Sequence, residues 1–341
     1  MIASSPASPR DHSRLMVVDR KTGTISHHKF YEIENFLNPY DVLVLNKTKV
    51  FPARLYTEKV TGGKVELLFL EEIKPGIWST LTHPGVKPGV NLALGKHLFN
   101  VIDQVGMTAT VDTHLGKTGM LNILRRYGKT PLPPYINSGE KEQELRKEYQ
   151  TVYAKSVGSV AAPTAGFHFT NRLLKKIEAK GVRIEYITLH VGLGTFIPIK
   201  SKNIEDHPMH FEYFELDKDT AMRLNQAKKS GRRIISVGTT SVRVLETCAK
   251  KKGGAYQLVP QKKSTNIFIY PPYKFKFTDA LITNFHLPKS TLLALVSAFV
   301  SNPNTEKVFK NFKNSIIGKA YQEAIKEKYR FYSFGDSSLI I

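Results

Sequence analysis

Short apolar runs, separated by glycine and proline, fill the segment from residue 64 to residue 115. The runs are KVELLFLEE, IWSTLTH, VNLAL, HLFNVIDQV and TATVDTHL. Turn signals such as Pro75-Gly76, Pro84-Gly85 and Pro88-Gly89 stand between them. Short strands at this spacing predict a small β-barrel or sandwich.

Beyond Tyr149 the pattern changes to apolar strands that alternate with helices. The strands are predicted over 182–191, 233–237 and 280–285, and the helices over 171–180, 241–251 and 290–301. Thr170 is the predicted N-cap of the first helix. This alternation predicts an α/β main domain with a largely parallel sheet.

The α/β pattern surrounds the β-rich stretch, because another apolar run, DVLVLN, begins at Asp41. We therefore expect a discontinuous α/β catalytic domain of residues 1–55 and 150–341. Residues 56–149 are expected to form an inserted β-barrel-like domain.

Targeting and redox signals are few. No apolar run approaches the roughly 20 residues that span a bilayer, and the N-terminal segment has no apolar core of a signal peptide. Cys248 is the single cysteine, which excludes an internal disulfide and is typical of a buried helix position. We expect a cytoplasmic protein without a membrane partner.

The charge is strongly basic and unevenly distributed. The chain has 50 Lys and Arg against 29 Asp and Glu, a net charge of +21. From Lys228 to the end, 20 residues are basic and 6 are acidic, so the last third carries two thirds of the excess. Such a surface favours a polyanionic partner, although a solvated basic surface without a partner would have the same composition.

Three predicted strands end in loops rich in small and polar residues. VGTTSVRVLE places Gly238, Thr239, Thr240 and Ser241 where a helix begins, which suits an anion but also ordinary capping. LHVGLGTF (189–196) and ITNFHLP (282–288) follow the other two strands. Ligands bind beyond the carboxyl ends of strands in open α/β sheets, so the three loops are expected to share one crevice.

Two further segments carry histidines. GSVAAPTAGFHFT sets His168 between two phenylalanines after a run of small residues, and MHFEY sets His210 two residues before Glu212. A histidine in either place can carry a proton, and a buried core histidine explains the same pattern.

YPPYKFKF (270–277) interleaves aromatic and basic residues. This composition favours a single-stranded or flipped-out base beside phosphates, and an amphipathic edge strand is the alternative. Familiar signatures are missing: residue 197 is not the third glycine of a dinucleotide fingerprint, and no Walker loop, HExxH or GxSxG motif occurs.

Taken in chain order, these segments resemble the S-adenosylmethionine:tRNA ribosyltransferase-isomerases over nearly the whole length. The matching stretches are PRDHSRL, DVLVLNKTKVFPARL, GGKVELL, PLPPYI, YQTVYA, GSVAAPTAGFHFT, LHVGLGTF, MHFEY, VGTTSVRVLE, DALITNFHLPKSTLLALVSAF and YRFYSFGDSSLI. The chain departs from the family pattern at Lys47, where an aspartate is common, so no catalytic carboxylate is assigned to that loop.

The resemblance implies a pentosyl-transferring enzyme of an α/β domain with a β-barrel. Its co-substrate would be S-adenosylmethionine, with no prosthetic group and no metal. The acceptor would be 7-aminomethyl-7-deazaguanine at the wobble position of tRNA with a GUN-type anticodon. The products would be epoxyqueuosine-tRNA, adenine and methionine, formed in queuosine biosynthesis. Apart from the resemblance, we expect the protein to be a monomer.

This reaction needs a base, a donor site and an RNA surface. The candidate catalytic residues are His168, His210 and Glu212. The candidate donor-binding residues are Gly192, Gly194, Thr239, Thr240 and Ser241. The candidate RNA-binding residues are Arg243, Tyr270, Tyr273, Lys274 and Lys276. An S-adenosylmethionine-dependent RNA methyltransferase and a non-catalytic RNA-binding protein are the alternatives.

Overall fold

The computed structural model describes residues 2–133, 135–136, 141–192 and 198–341. Its strands are β1 (Arg14–Val18), β2 (Ile25–Lys29), β3 (Val42–Asn46), β4 (Thr48–Val50), β5 (Arg54–Lys59), β6 (Lys64–Lys74), β7 (Ile77–His83), β8 (Asn91–Leu94), β9 (His97–Val105), β10 (Thr108–Asp112), β11 (Ser156–Ser159), β12 (Arg183–Leu189), β13 (Glu212–Leu216), β14 (Ile234–Val237), β15 (Ala249–Lys252), β16 (Ala255–Leu258), β17 (Gln261–Thr265), β18 (Ala280–Asn284) and β19 (Ser337–Ile340). Gly194 lies outside the described residues.

The helices follow the predicted alternation. They are α1 (Lys117–Tyr127), α2 (Glu142–Glu148), α3 (Asn171–Ala179), α4 (Lys218–Lys229), α5 (Thr239–Cys248), α6 (Thr291–Phe299) and α7 (Ile316–Lys326). The Thr170 hydroxyl accepts from the amide of Leu173 at 3.1 Å, which confirms the predicted N-cap of α3. No helix in the described ranges is long and apolar enough to cross a membrane.

A nine-stranded sheet organises most of the described residues, in the order β17-β13-β12-β3-β14-β18-β19-β1-β2. The sheet is mixed, which corrects the prediction of a largely parallel one. β12, β3, β14 and β18 are mutually parallel, whereas β17, β13 and β2 pair antiparallel with their neighbours. β19 lies between β18 and β1, antiparallel to the first and parallel to the second.

The central strands are buried along their whole length, as expected for a sheet that is covered on both faces. Every residue of β3, β14 and β18 is buried. Continuous apolar runs of this kind are typical of parallel strands. These strands therefore pack against apolar side chains on both faces of the sheet, and they do not show the alternation of buried and exposed residues that marks a sheet with one solvent-exposed face.

The predicted β-barrel is confirmed. β10, β7, β6, β5, β8 and β9 form a closed barrel in which each neighbouring pair is antiparallel. Closure removes exposed strand edges. Its interior is filled by a cluster that includes Phe69, Trp78 and Phe99. The exact division at residues 56 and 149 stays a prediction.

One helix ends earlier than its sequence indicates. α5 was expected to reach residue 251, but it stops at Cys248 and the chain continues as β15, which pairs with β16. Lys250, Lys251 and Lys252 of β15 are exposed. Local helix propensity for such lysines is good, so the pairing between β15 and β16 overrides it.

Candidate functional site

Described residues at the carboxyl ends of three parallel strands of the sheet line one cavity. We call it the inner cavity: it has a volume of about 40 Å³ and is lined by Ala162, Pro163, Thr164, Ala165, Val191, Gly238, Thr239, Thr240, Thr283, Asn284, His286 and Leu292. Val191 follows β12, Gly238 follows β14, and Asn284 ends β18. The expected crevice at the carboxyl ends of the strands is confirmed.

Two further cavities share walls with it. The middle cavity, also about 40 Å³, is lined by Tyr135, Thr164, Asn284, Phe285, His286, Leu287, Ser290, Leu292, Tyr332 and Ser333. The outer cavity measures about 670 Å³ and is mainly apolar, with Leu293, Phe312, Tyr321 and Phe331 on its wall. Its size is that of a site for a small-molecule ligand.

His286 is the side chain that all three cavities have in common. Its Nε2 lies 2.8 Å from the hydroxyl of Thr283, and its backbone amide donates to the hydroxyl of Tyr321 at 2.6 Å. Burial lowers the pKa of His286 to about 4, so the imidazole is neutral near pH 7. A neutral imidazole at this position can accept or relay a proton.

Tyr332 lines the middle and outer cavities from the segment before β19. Its φ is +74°, a left-handed conformation that few residues other than glycine adopt. The Tyr332 amide donates to the Phe285 carbonyl at 3.1 Å, and Tyr135 packs against the ring at 5.1 Å. Strained backbone of this kind concentrates at functional sites.

Of the three predicted donor-binding hydroxyl residues, two line the inner cavity. Thr239 and Thr240 lie on its wall, whereas Ser241 does not. The Ser241 hydroxyl donates to the Val237 carbonyl at 2.8 Å, one turn back, and the residue is fully buried. Ser241 therefore has a local structural role, which was one of the two alternatives.

His168 is buried and hydrogen-bonded through both ring nitrogens. Asn284 donates its amide protons to the carbonyls of Tyr332 and Ser333, so its Oδ1 faces His168 Nε2 at 3.3 Å. Nε2 therefore carries the proton, and Nδ1 accepts from the Ser13 hydroxyl at 2.7 Å. Burial lowers the pKa of His168 to about 4. The ring supports Asn284 from behind the cavity wall.

His210 and Glu212 occupy different environments. His210 is exposed in the loop before β13, and Glu212 is 4% exposed. Glu212 Oε1 accepts from the Gly192 amide at 2.8 Å, and Oε2 pairs with Arg243. This carboxylate fixes the start of the loop after β12 and does not line any of the three cavities.

Arg243 requires a correction. It was predicted to bind RNA, but it is 3% exposed and its guanidinium is held by Glu212 inside the protein. Burial lowers the pKa of Arg243 to about 10. A side chain in this position cannot reach a phosphate from the protein surface, so its role is to position β13 and α5.

The segment 270–277 is a loop fixed to the main domain. Glu246 accepts hydrogen bonds from the Tyr273 hydroxyl at 3.2 Å and from the Lys276 amide at 2.9 Å. Lys276 also lies over the Tyr273 ring at 5.5 Å. Lys274 is exposed and Tyr270 is half-buried, so these two remain accessible to a partner.

Comparison with known proteins matches the whole chain to one family. The family model described as queuosine biosynthesis protein matches residues 1–340. The chain belongs to this family.

Relatives of known name support the same assignment. The chain is 47% identical to the S-adenosylmethionine:tRNA ribosyltransferase-isomerase of Halothermothrix orenii, over 100% of this chain and 96% of that protein. It is 46% identical to the protein of that name from Thermotoga maritima, with the same coverage. The predicted family resemblance is confirmed.

A solved structure of the family is also similar. The crystal structure of S-adenosylmethionine tRNA ribosyltransferase from Thermotoga maritima matches with a TM-score of 0.53 and 34% identity. The match covers 100% of this chain and 96% of that chain. At this identity and coverage the structural comparison agrees with family membership.

Two residues of the site, His286 and Tyr332, were not among the candidates predicted from the sequence. His286 stood in the strand-end motif ITNFHLP, where its position after a buried strand was the available signal. Tyr332 carried no local signal, because its place on the wall depends on the packing of the last segment against β18.

Proposed function

We propose that this protein is an S-adenosylmethionine:tRNA ribosyltransferase-isomerase. It transfers the ribosyl moiety of S-adenosylmethionine to 7-aminomethyl-7-deazaguanine at the wobble position of tRNA with a GUN-type anticodon, and isomerises it. Epoxyqueuosine-tRNA, adenine and methionine are the products. The observation that carries the proposal is 46 to 47% identity, over the full chain, to relatives of that name.

The donor site of the proposal is the set of three cavities at the strand ends. The outer cavity of about 670 Å³ is large and apolar enough to enclose a nucleoside. Thr239 and Thr240 contribute polar groups at the inner end. Gly192, held by Glu212, starts the loop that follows β12. The donor would thus lie across the carboxyl edge of the parallel strands.

The chemistry requires a base that removes a proton from the ribose carbon next to the sulfonium. His286 is our candidate for the group that meets the donor, because it lines the inner, middle and outer cavities. Burial lowers its pKa, so the ring is unprotonated near pH 7 and free to accept a proton, although it is a weaker base than an exposed histidine. His168, the first candidate from the sequence, becomes a positioning residue that holds Asn284. His210 and Glu212 keep no direct contact with this cleft in the proposal.

The acceptor side of the proposal uses the basic last third of the chain. Exposed Lys274 and half-buried Tyr270 are candidates for a phosphate contact and a stacking contact with tRNA. Because the acceptor is tRNA, the proposed place of action is the cytoplasm. The proposed organisation remains a monomer with a barrel domain at residues 56–149.

The test is to incubate the protein with S-adenosylmethionine and tRNA that carries 7-aminomethyl-7-deazaguanine. Free adenine, free methionine and the mass of the modified nucleoside are then measured. Adenine release in step with epoxyqueuosine formation is the expected result. S-adenosylhomocysteine with methylated RNA would instead indicate a methyltransferase, and bound tRNA without turnover would indicate an RNA-binding protein.

A further inference from the structure

The N-terminus of α5 faces the inner cavity without a side-chain cap. Its N-cap is Gly238, at φ +83°, and no acidic residue stands in the first turn. The amides of Ser241 and Val242 donate to the Gly238 carbonyl. The amides of Thr239 and Thr240 have no carbonyl acceptor within the helix, because no helical turn precedes them. An anion bound at this end would therefore accept hydrogen bonds from these two amides.

The Thr240 side chain is an independent sign of a ligand. Its hydroxyl has no hydrogen-bond partner among the residues that the structure describes, although the residue is only 7% exposed. Thr240 lies on the wall of the inner cavity. A buried hydroxyl without a partner costs free energy, which an acceptor on a bound ligand would recover.

The dimensions of the site indicate a small anion at the end of a larger ligand. The inner cavity, of about 40 Å³, has room for a group the size of a carboxylate and is far too small for a nucleoside. Thr239 and Thr240 are 5% and 7% exposed, so the phosphodiester of a polymer has no access to them. The outer cavity, about 670 Å³, meets the inner cavity at His286 and has room for the rest of a larger ligand.

We infer that the inner cavity binds the α-carboxylate of the methionine half of S-adenosylmethionine. The amides of Thr239 and Thr240 and the hydroxyl of Thr240 donate to its oxygens. This orientation rests on the proposed function, because that reaction supplies the donor. It leaves the ribose and the sulfonium toward His286, which the inner and outer cavities share.

The next helix offers a matched control. α6 is capped, since the Ser290 hydroxyl accepts from the Leu293 amide at 3.2 Å. Thr291 in its first turn also has a buried hydroxyl without a partner in the described part of the chain. Thr291 lines none of the three cavities. Thr291→Val thus removes an equivalent hydroxyl away from the site.

The experiment measures binding of S-adenosylmethionine and of its decarboxylated analogue to the full chain by calorimetry. Wild-type protein is expected to bind the carboxylate form at least about 10-fold more tightly, since hydrogen bonds to a charged group are stronger than those to a neutral group. Thr240→Val is expected to lose part of that preference, because it removes the hydroxyl donor and keeps both backbone amides, and Thr240→Ser is expected to keep all of it. Thr291→Val is expected to bind both compounds like the wild type.

The outcomes separate this inference from the proposed function. Equal affinity of the wild type for both compounds would overturn the inference alone, because the donor would still bind. A Thr240→Val variant that folds and keeps the full preference would also overturn it. Weaker tRNA binding by Thr240→Val, with the preference unchanged, would assign the site to a phosphate instead. No binding of either compound would overturn the inference and the proposed function together.

Discussion

Glu212 and Arg243 form an ion pair inside the protein, and the same carboxylate accepts the amide of Gly192 at 2.8 Å. The two side chains are 4% and 3% exposed. The pair connects β13, α5 and the loop after β12. Two of these elements border the inner cavity, so the pair fixes the geometry of the site without touching it.

Removal of Arg243 is expected to destabilise the protein strongly. Arg243→Met leaves the Glu212 carboxylate buried without its cation, which costs about 3–5 kcal/mol in the free energy of unfolding. Urea denaturation measures this loss. The double variant Glu212→Gln with Arg243→Met is expected to recover a large part of it. An additive loss in the double variant would show that the two residues are not coupled.

His168 makes stability depend on pH. Burial lowers its folded pKa to about 4 from an ordinary value of 6.5, so the unfolded chain binds more protons between these values. The stability that the neutral His168 ring contributes to the folded state is fully present above pH 6.5. It is lost as the pH falls from 6.5 towards 4. The loss between pH 7 and pH 5 is about 2 kcal/mol.

The variant His168→Gln isolates this effect. Urea midpoints at pH 7 and pH 5 should differ less for His168→Gln than for the wild type, because glutamine does not titrate. His83→Gln, at an exposed position in β7, is the control and should keep the wild-type difference. An unchanged pH dependence in His168→Gln would rule out His168 as its source.

His286 is expected to control the chemical step. His286→Gln should lower kcat for adenine release by roughly 10²–10⁴-fold, which is the usual contribution of a positioned proton carrier. The KM for S-adenosylmethionine should change much less. Because its pKa of about 4 lies far below neutrality, the imidazole should add no titration to kcat between pH 6 and pH 8.

The two histidines are distinguished by the same assay. Full kcat in His286→Gln, with loss of kcat in His168→Gln, would return the role of base to His168. A lower kcat in both variants, together with a changed KM for S-adenosylmethionine in His168→Gln alone, would agree with a positioning role for His168.

The loop 270–277 is expected to contact tRNA through Lys274. Lys274→Gln should weaken tRNA binding and reduce the slope of log affinity against log salt by about 1. Lys96→Gln, at an exposed turn of the barrel, is the matched control. Filter binding between 50 and 200 mM salt, roughly the range where counterion release dominates, measures both. Equal slopes for the two variants would remove Lys274 from the interface.

The sequence alone determined the local elements and the place of the cleft. Apolar runs with regular turn signals predicted the barrel strands, because each strand must bury one side of a closed sheet. Thr170 predicted the start of α3 through its own hydroxyl. Ligands bind beyond the carboxyl ends of parallel strands, and this rule correctly predicted that residues from three strand ends line one cavity. The rule depends only on the order and direction of the strands.

Tertiary structure decided which side chains of those loops face the cleft and which are buried behind it. Ser241 carried the same local signal as Thr240, but its hydroxyl bonds to its own helix. Arg243 lies in the same motif and was predicted to bind RNA, but it pairs with Glu212 inside the protein. Antiparallel pairing of β13, β17, β19 and β2 made the sheet mixed, and the position of β19 beside β18 brought Tyr332 to the cavity wall. Local patterns specify elements through neighbours along the chain, whereas burial and hydrogen-bond partners depend on contacts between residues far apart in the sequence.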